Sequence, residues 1–154
     1  MIDYREELDF QIALVVFLVR NVGENKNGKK LLTIEKLRFL ILICLTPKKL
    51  YSVISKLTNK DACCFEDVCY NDSSENISEN DLKEISLLIS YMCSSGYLKV
   101  VQDESRFIAI GEAASGVADS LCESMPNYLS RNVEILKNIS RKSESLISKA
   151  CMES

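Results

Sequence analysis

The segment YLKVVQDESRFIAI (Tyr97–Ile110) carries two apolar runs around a polar centre. Alternation sets Leu98 and Val100 on one face of a strand, with Ile108 and Ile110 able to oppose them. The segment therefore predicts a hairpin of two short strands joined by a four-residue polar loop. Just upstream, ENDLKEISLLISYMCSSG (Glu79–Gly96) has a different period. Leu82, Ile85, Leu88 or Ile89, and Met92 follow the three-and-four spacing of an amphipathic helix. Ser78 is its N-cap and Gly96 its C-terminal stop.

Further upstream, a first helix is expected from about Arg5 to Asn21, with Glu6, Glu7 and Asp9 near the positive end of its dipole. GENKNGKK (Gly23–Lys30) reads as a loop. LLTIEKLRFLILICL offers Thr33 as N-cap and an apolar helix to about Leu45, and Pro47 opens a further short helix, KKLYSVISKL. From Thr58 to Ser78 no period is sustained, which predicts a long acidic loop containing Cys63, Cys64 and Cys69. Downstream of the hairpin, GEAASGVADSLCESM reads as a helix from about Glu112, and Pro126 opens a last helix running to about Ala150. The expected fold class is mainly α with a small β-hairpin. Helix, glycine and hairpin in that order define a winged-helix-like domain over 1–122, with a C-terminal helical extension over 123–154.

The chain has 154 residues and a formal net charge of −3. That is long enough for a core without covalent staples. The seven cysteines are odd in number, and Cys44, Cys93 and Cys122 fall inside apolar helical patterns. This is no disulfide framework and suits a reducing compartment, so a cytoplasmic location is expected. The most apolar runs, Ile12–Val19 and Leu37–Leu45, are about half as long as a bilayer span and read as core helices.

Charge is unevenly distributed. Up to Lys60 there are 11 basic and 6 acidic residues, whereas residues 61–122 hold 3 basic and 12 acidic ones. In a winged helix used on DNA, the helix before the wing enters the major groove and presents cations and amides there. Here that helix brings Glu79, Asp81, Lys83 and Glu84. An acidic helix is repelled by phosphates and forgoes counterion release, which argues against base reading. Lys29, Lys30, Lys48, Lys49 and Lys56 are the residues available for DNA-backbone contact. A winged-helix transcriptional regulator is the alternative that such contacts would serve.

Histidine is absent, which removes the commonest general base and metal ligand. CCFEDVC (Cys63–Cys69) gathers three thiols and two carboxylates, but a structural zinc site wants two ligand pairs and only one cluster is present. A redox or zinc sensor built on these thiols is a third hypothesis. No catalytic, cofactor-binding or metal residues are expected.

The layout as a whole resembles the middle component of ABC-three-component systems. The resemblance is carried by an N-terminal apolar helix, TIEKLRFLILICL, a variable central loop, LLISYMCSSGYLKVV with its wing, and FIAIGEAASGVADSL. It implies a non-enzymatic subunit of bacterial antiviral defence, of the Lamassu kind, bridging an SMC-like coiled-coil ATPase and an effector nuclease. Neither a small-molecule substrate nor a membrane is implied. A partner-binding surface is expected on the terminal helix, where Tyr128, Leu129, Val133 and Leu136 form an apolar stripe that can lie in a partner's groove.

Overall fold

The computed structural model describes residues 8–58, 78–123 and 125–152. In chain order the elements are α1 (Leu8–Val22), α2 (Ile34–Leu45), α3 (Pro47–Thr58), α4 (Glu79–Ser94), β1 (Leu98–Gln102) and β2 (Arg106–Ile110). They continue with α5 (Glu112–Ser115), α6 (Ala118–Glu123), α7 (Asn127–Ser130), α8 (Val133–Ser140) and α9 (Glu144–Met152). The described chain is thus mainly helical with a small antiparallel hairpin.

The centre is α1. Every residue from Ala13 to Val19 is buried, because α2, α6, α8 and β2 all pack around it. A helix apolar on all sides has to be enclosed. No helix among the described residues is long and apolar enough to cross a membrane.

Local sequence sets the boundaries of the next helices. Thr33 Oγ1 accepts from the Lys36 backbone N–H at 3.3 Å and starts α2. Ser78 and Asp81 form a reciprocal capping box that starts α4, which satisfies two donors that have no partner inside the helix. Pro47 opens α3, where its missing N–H costs nothing.

The hairpin pairs Leu98 with Ile110 and Val100 with Ile108, as alternation predicts. Gln102 pairs with Arg106, so the connecting loop has three residues, Asp103–Ser105, rather than four. The chain just before α2 joins the sheet: Thr33 bridges Phe107, and the Ile108 N–H donates to Leu32 O at 2.8 Å. Leu32–Thr33 therefore lies along the edge of β2 that faces away from β1.

Two glycines close the junction between α4, the hairpin and α5. Gly96 has φ +83°, a left-handed conformation that glycine adopts without penalty. Gly111 passes so near it that a Cβ there would lie 2.2 Å from Gly96 O. The Gly111 N–H donates to Tyr97 O, and the Ala113 N–H to Gly96 O.

The C-terminal region differs from expectation in two ways. The single helix expected from Pro126 to Ala150 is three helices, broken at Arg131–Asn132 and Arg141–Ser143. Asn132 folds its amide back onto Tyr128 O at 2.6 Å, and Ser143 Oγ accepts from the Leu146 N–H at the start of α9. Such local side-chain bonds compete with helix continuation. Moreover, 123–154 does not stand apart as an extension, because α8 packs on α1 and α3 while α9 packs on α2 and α3. Leu129, Leu136 and Ile147 belong to the same core cluster as Leu14 and Leu40. The expected helix after Glu112 is likewise split into α5 and α6, with Gly116 and Val117 between them.

Candidate functional site

The outward face of α4 is where sequence and structure converge. Its inner face, Ile85, Leu88, Ile89 and Met92, is buried. Position along the core is fixed from α2, where Arg38 donates to Ser86 Oγ at 2.8 Å and pairs with Glu35. The Tyr97 N–H donates to Met92 O at 2.9 Å and ties the end of α4 to the hairpin.

The opposite face carries two large apolar side chains in solvent. Leu87 is 71% exposed and Tyr91 is 52% exposed. They are four residues apart, so they stand one above the other on the helix. Glu84 lies one turn before Leu87 and Ser94 one turn after Tyr91, both exposed, as are Lys83 and Ser90. Leaving a leucine in water forgoes about 1.5–3 kcal/mol of burial. Val100, on the strand that packs against α4, is also 49% exposed.

The expected partner stripe is elsewhere, and inside. Tyr128, Leu129 and Leu136 are buried, and Val133 is half-buried against the same cluster. The Tyr128 hydroxyl donates to Cys44 O at 2.8 Å, satisfying one of the last carbonyls of α2. Tyr128, Leu129 and Leu136 thus pack on the chain's own core rather than lining an open surface.

The five lysines proposed for DNA-backbone contact are placed on two elements. Lys29 and Lys30 lie in the loop after α1, where Lys30 is ion-paired with Glu24. Lys48, Lys49 and Lys56 lie on α3. Lys48 and Lys56 are exposed, but Lys49 is buried, which corrects its expected availability. Burial, and then the charge of Lys56, hold the Lys49 ammonium below its ordinary pKa.

A further group escaped the sequence reading. Arg20, Lys30 and Lys99 line an open cleft of about 280 Å³ floored by Val19, Ile108 and Ile110. Arg20 is paired with Asp119 and Lys30 with Glu24, so much of this positive charge is already neutralised.

The described thiols, Cys44, Cys93, Cys122 and Cys151, are free. Burial raises the pKa of each, that of Cys151 to about 12. Thiols whose pKa is raised are poor nucleophiles. Among the described residues no group of three or more cysteines and carboxylates is placed to hold a metal ion. The cluster Cys63, Cys64 and Cys69 lies outside the described residues. Comparison with family models, curated proteins and solved structures finds no match to the chain.

Proposed function

We propose that this chain is a non-catalytic accessory subunit that bridges an SMC-like ATPase and an effector nuclease in antiviral defence. The observation that carries the proposal is the α4 face: exposed Leu87 and Tyr91, with Lys83 and Glu84 one turn before Leu87. Adjacent exposed apolar side chains suit a protein partner, and the excess of Glu79, Asp81 and Glu84 over Lys83 along α4 disfavours a phosphate backbone. A winged-helix-like arrangement is part of this reading. It is supported by the order in which Leu32–Thr33, β2 and β1 lie side by side and by the helix that directly precedes the hairpin.

Co-expression with the genes that flank it tests the proposal. A stable complex with a long coiled-coil ATPase is the expected outcome, and recovery of the free monomer alone overturns it. The alternative, a winged-helix transcriptional regulator, draws on Lys99 and the cleft beside the wing. It requires sequence-selective gel shifts by the isolated chain at physiological salt, lost on Lys99→Glu.

A further inference from the structure

We infer that the group of helices α3, α8 and α9 binds the phosphate backbone of duplex DNA without reading its sequence. This goes beyond the bridging role and does not rest on it, because the contact needs neither the ATPase nor the hairpin.

Uncompensated charge carries the inference. Lys48, Lys49 and Lys56 lie on α3, which has no carboxylate. Residues 125–152 bring Arg131, Lys137, Arg141, Lys142 and Lys149 against Glu134 and Glu144. Eight cations less two carboxylates leave a surplus of six. Both α8 and α9 pack on α3, so these charges sit in one packed group and their fields sum. The two carboxylates are engaged locally, Glu134 with Lys137 and Glu144 with the Thr33 hydroxyl. Lys48, Lys56, Arg131, Arg141 and Lys149 are exposed. Like charges crowd one another at Lys49, whose pKa is lowered by burial and then by Lys56. The nearby Cys151 thiol, with a pKa of about 12, brings no negative charge at neutral pH.

Helix ends explain a part of this. Lys56, Lys137 and Lys149 stand in the last turns of α3, α8 and α9. Each such end offers about half a negative charge, so three of them offset a minority of the surplus.

The chemistry of the surface selects the partner. Residues 78–123 hold 8 acidic and 3 basic residues, so a polyanion is drawn to the α3, α8 and α9 group rather than to α4 and the hairpin. A lipid surface needs a continuous apolar face beside the cations. On α9, Ile147, Ala150 and Cys151 are buried in the core, which leaves Leu146 and Met152 as single exposed side chains. A protein interface needs aromatic or aliphatic anchors and is depleted in lysine, whereas the exposed residues of α3 are Lys48, Ser55 and Lys56. A phosphate backbone requires only spaced cations. Lysines dominate the group, and they meet phosphates as point charges with no fork for base edges.

The test uses the full chain and two labelled duplexes of unrelated sequence, with fluorescence anisotropy at several salt concentrations. Both duplexes are expected to bind equally, with Kd of roughly 10⁻⁴–10⁻⁶ M at physiological salt. Log affinity should fall against log salt by about 0.9 for each phosphate met. Lys48→Gln and Lys149→Gln, each checked for unchanged thermal unfolding, are expected to weaken binding several-fold and to make that slope shallower by about 1 each. Lys149→Arg should restore it, and Lys99→Gln on the hairpin should change neither quantity.

Absence of binding at low salt overturns the inference, as does an undiminished slope in the Lys48→Gln, Lys149→Gln double variant. An equal loss in Lys99→Gln also overturns it, because the contact would then belong to the wing. Tighter association with phosphatidylserine vesicles than with duplex would make the ligand a membrane, and stronger competition by polyglutamate than by unlabelled duplex would make it an acidic protein. The bridging role is read separately by co-purification with the ATPase, which the two lysine variants leave intact if only DNA contact is lost.

Discussion

Two helical segments carry rows of apolar residues, and they end on opposite sides of the boundary with solvent. In α7–α8, Tyr128, Leu129 and Leu136 are buried, with α8 packed on α1 and α3 and the Tyr128 hydroxyl bonded to Cys44 O. In α4, Ile85, Ile89 and Met92 are enclosed, but Leu87 and Tyr91 remain outside. The difference lies in the width of the apolar arc. Apolar residues on α8 sit at 133, 135, 136 and 139, and the core absorbs them all in full or in part. On α4 they sit at 82, 85, 87, 88, 89, 91 and 92, more than one face can bury. A stripe says that something will cover it. A surplus beyond the stripe says that the chain's own core does not.

The largest effect separating the two regions is expected from Leu136→Ala. A fully buried leucine truncated in a packed core costs about 2–5 kcal/mol, and urea unfolding will read it as a lower midpoint with an unchanged slope. An unchanged midpoint would mean that α8 is not part of the core.

Next is an alkaline effect from the C-terminal core. Burial holds the folded pKa of Cys151 at about 12, against an ordinary value of 9.0. The folded state thus keeps a proton that the unfolded chain releases. Stability from this thiol is complete below pH 9 and is lost as pH rises from there towards 12, at about 1.4 kcal/mol per unit. Lys36 and Lys49, whose pKa values burial lowers, act in the opposite direction as pH approaches 10.5. The contribution of Cys151 is isolated by comparison with Cys151→Ala, whose stability should fall less steeply above pH 9. Parallel curves would contradict the burial of this thiol.

Tyr128→Phe removes the bond to Cys44 O without opening a cavity. A loss of about 1 kcal/mol is expected from one buried hydrogen bond, measurable by the same urea titration. The smallest effect belongs to α4: Leu87→Ser should change stability by less than about 0.5 kcal/mol, as exposed substitutions do. A loss comparable to that of Leu136→Ala would place Leu87 inside the protein.

Much of the fold was legible because its signals are local. Ser78, Thr33, Pro47 and Gly96 each act through a cap or a dihedral preference within a few residues of themselves. Alternation in Tyr97–Ile110 set the register of the hairpin. The breaks at Asn132 and Ser143 were misread because the apolar stripe runs through them, whereas the side-chain bonds that end each helix depend on the packed geometry. The docking role of Tyr128 and Leu136 failed for a related reason, since a stripe does not name the surface it meets. Leu87 and Tyr91 had a signal in the sequence, an apolar pair at 87 and 91 offset from the row at 85, 88, 89 and 92. Reading it required counting both faces of α4 rather than fitting one. The cleft cations Arg20, Lys30 and Lys99 come from three elements distant in sequence, and no spacing rule joins them.

The pairing of Leu32–Thr33 with β2 leaves β1 as the sheet's unpaired border among the described residues. Exposed Lys99 is the second residue of that border strand, and a charge there deters unplanned strand addition. Growth of the sheet into a shared ribbon between molecules is thus blocked on one side by the chain itself and discouraged on the other by a single ammonium group.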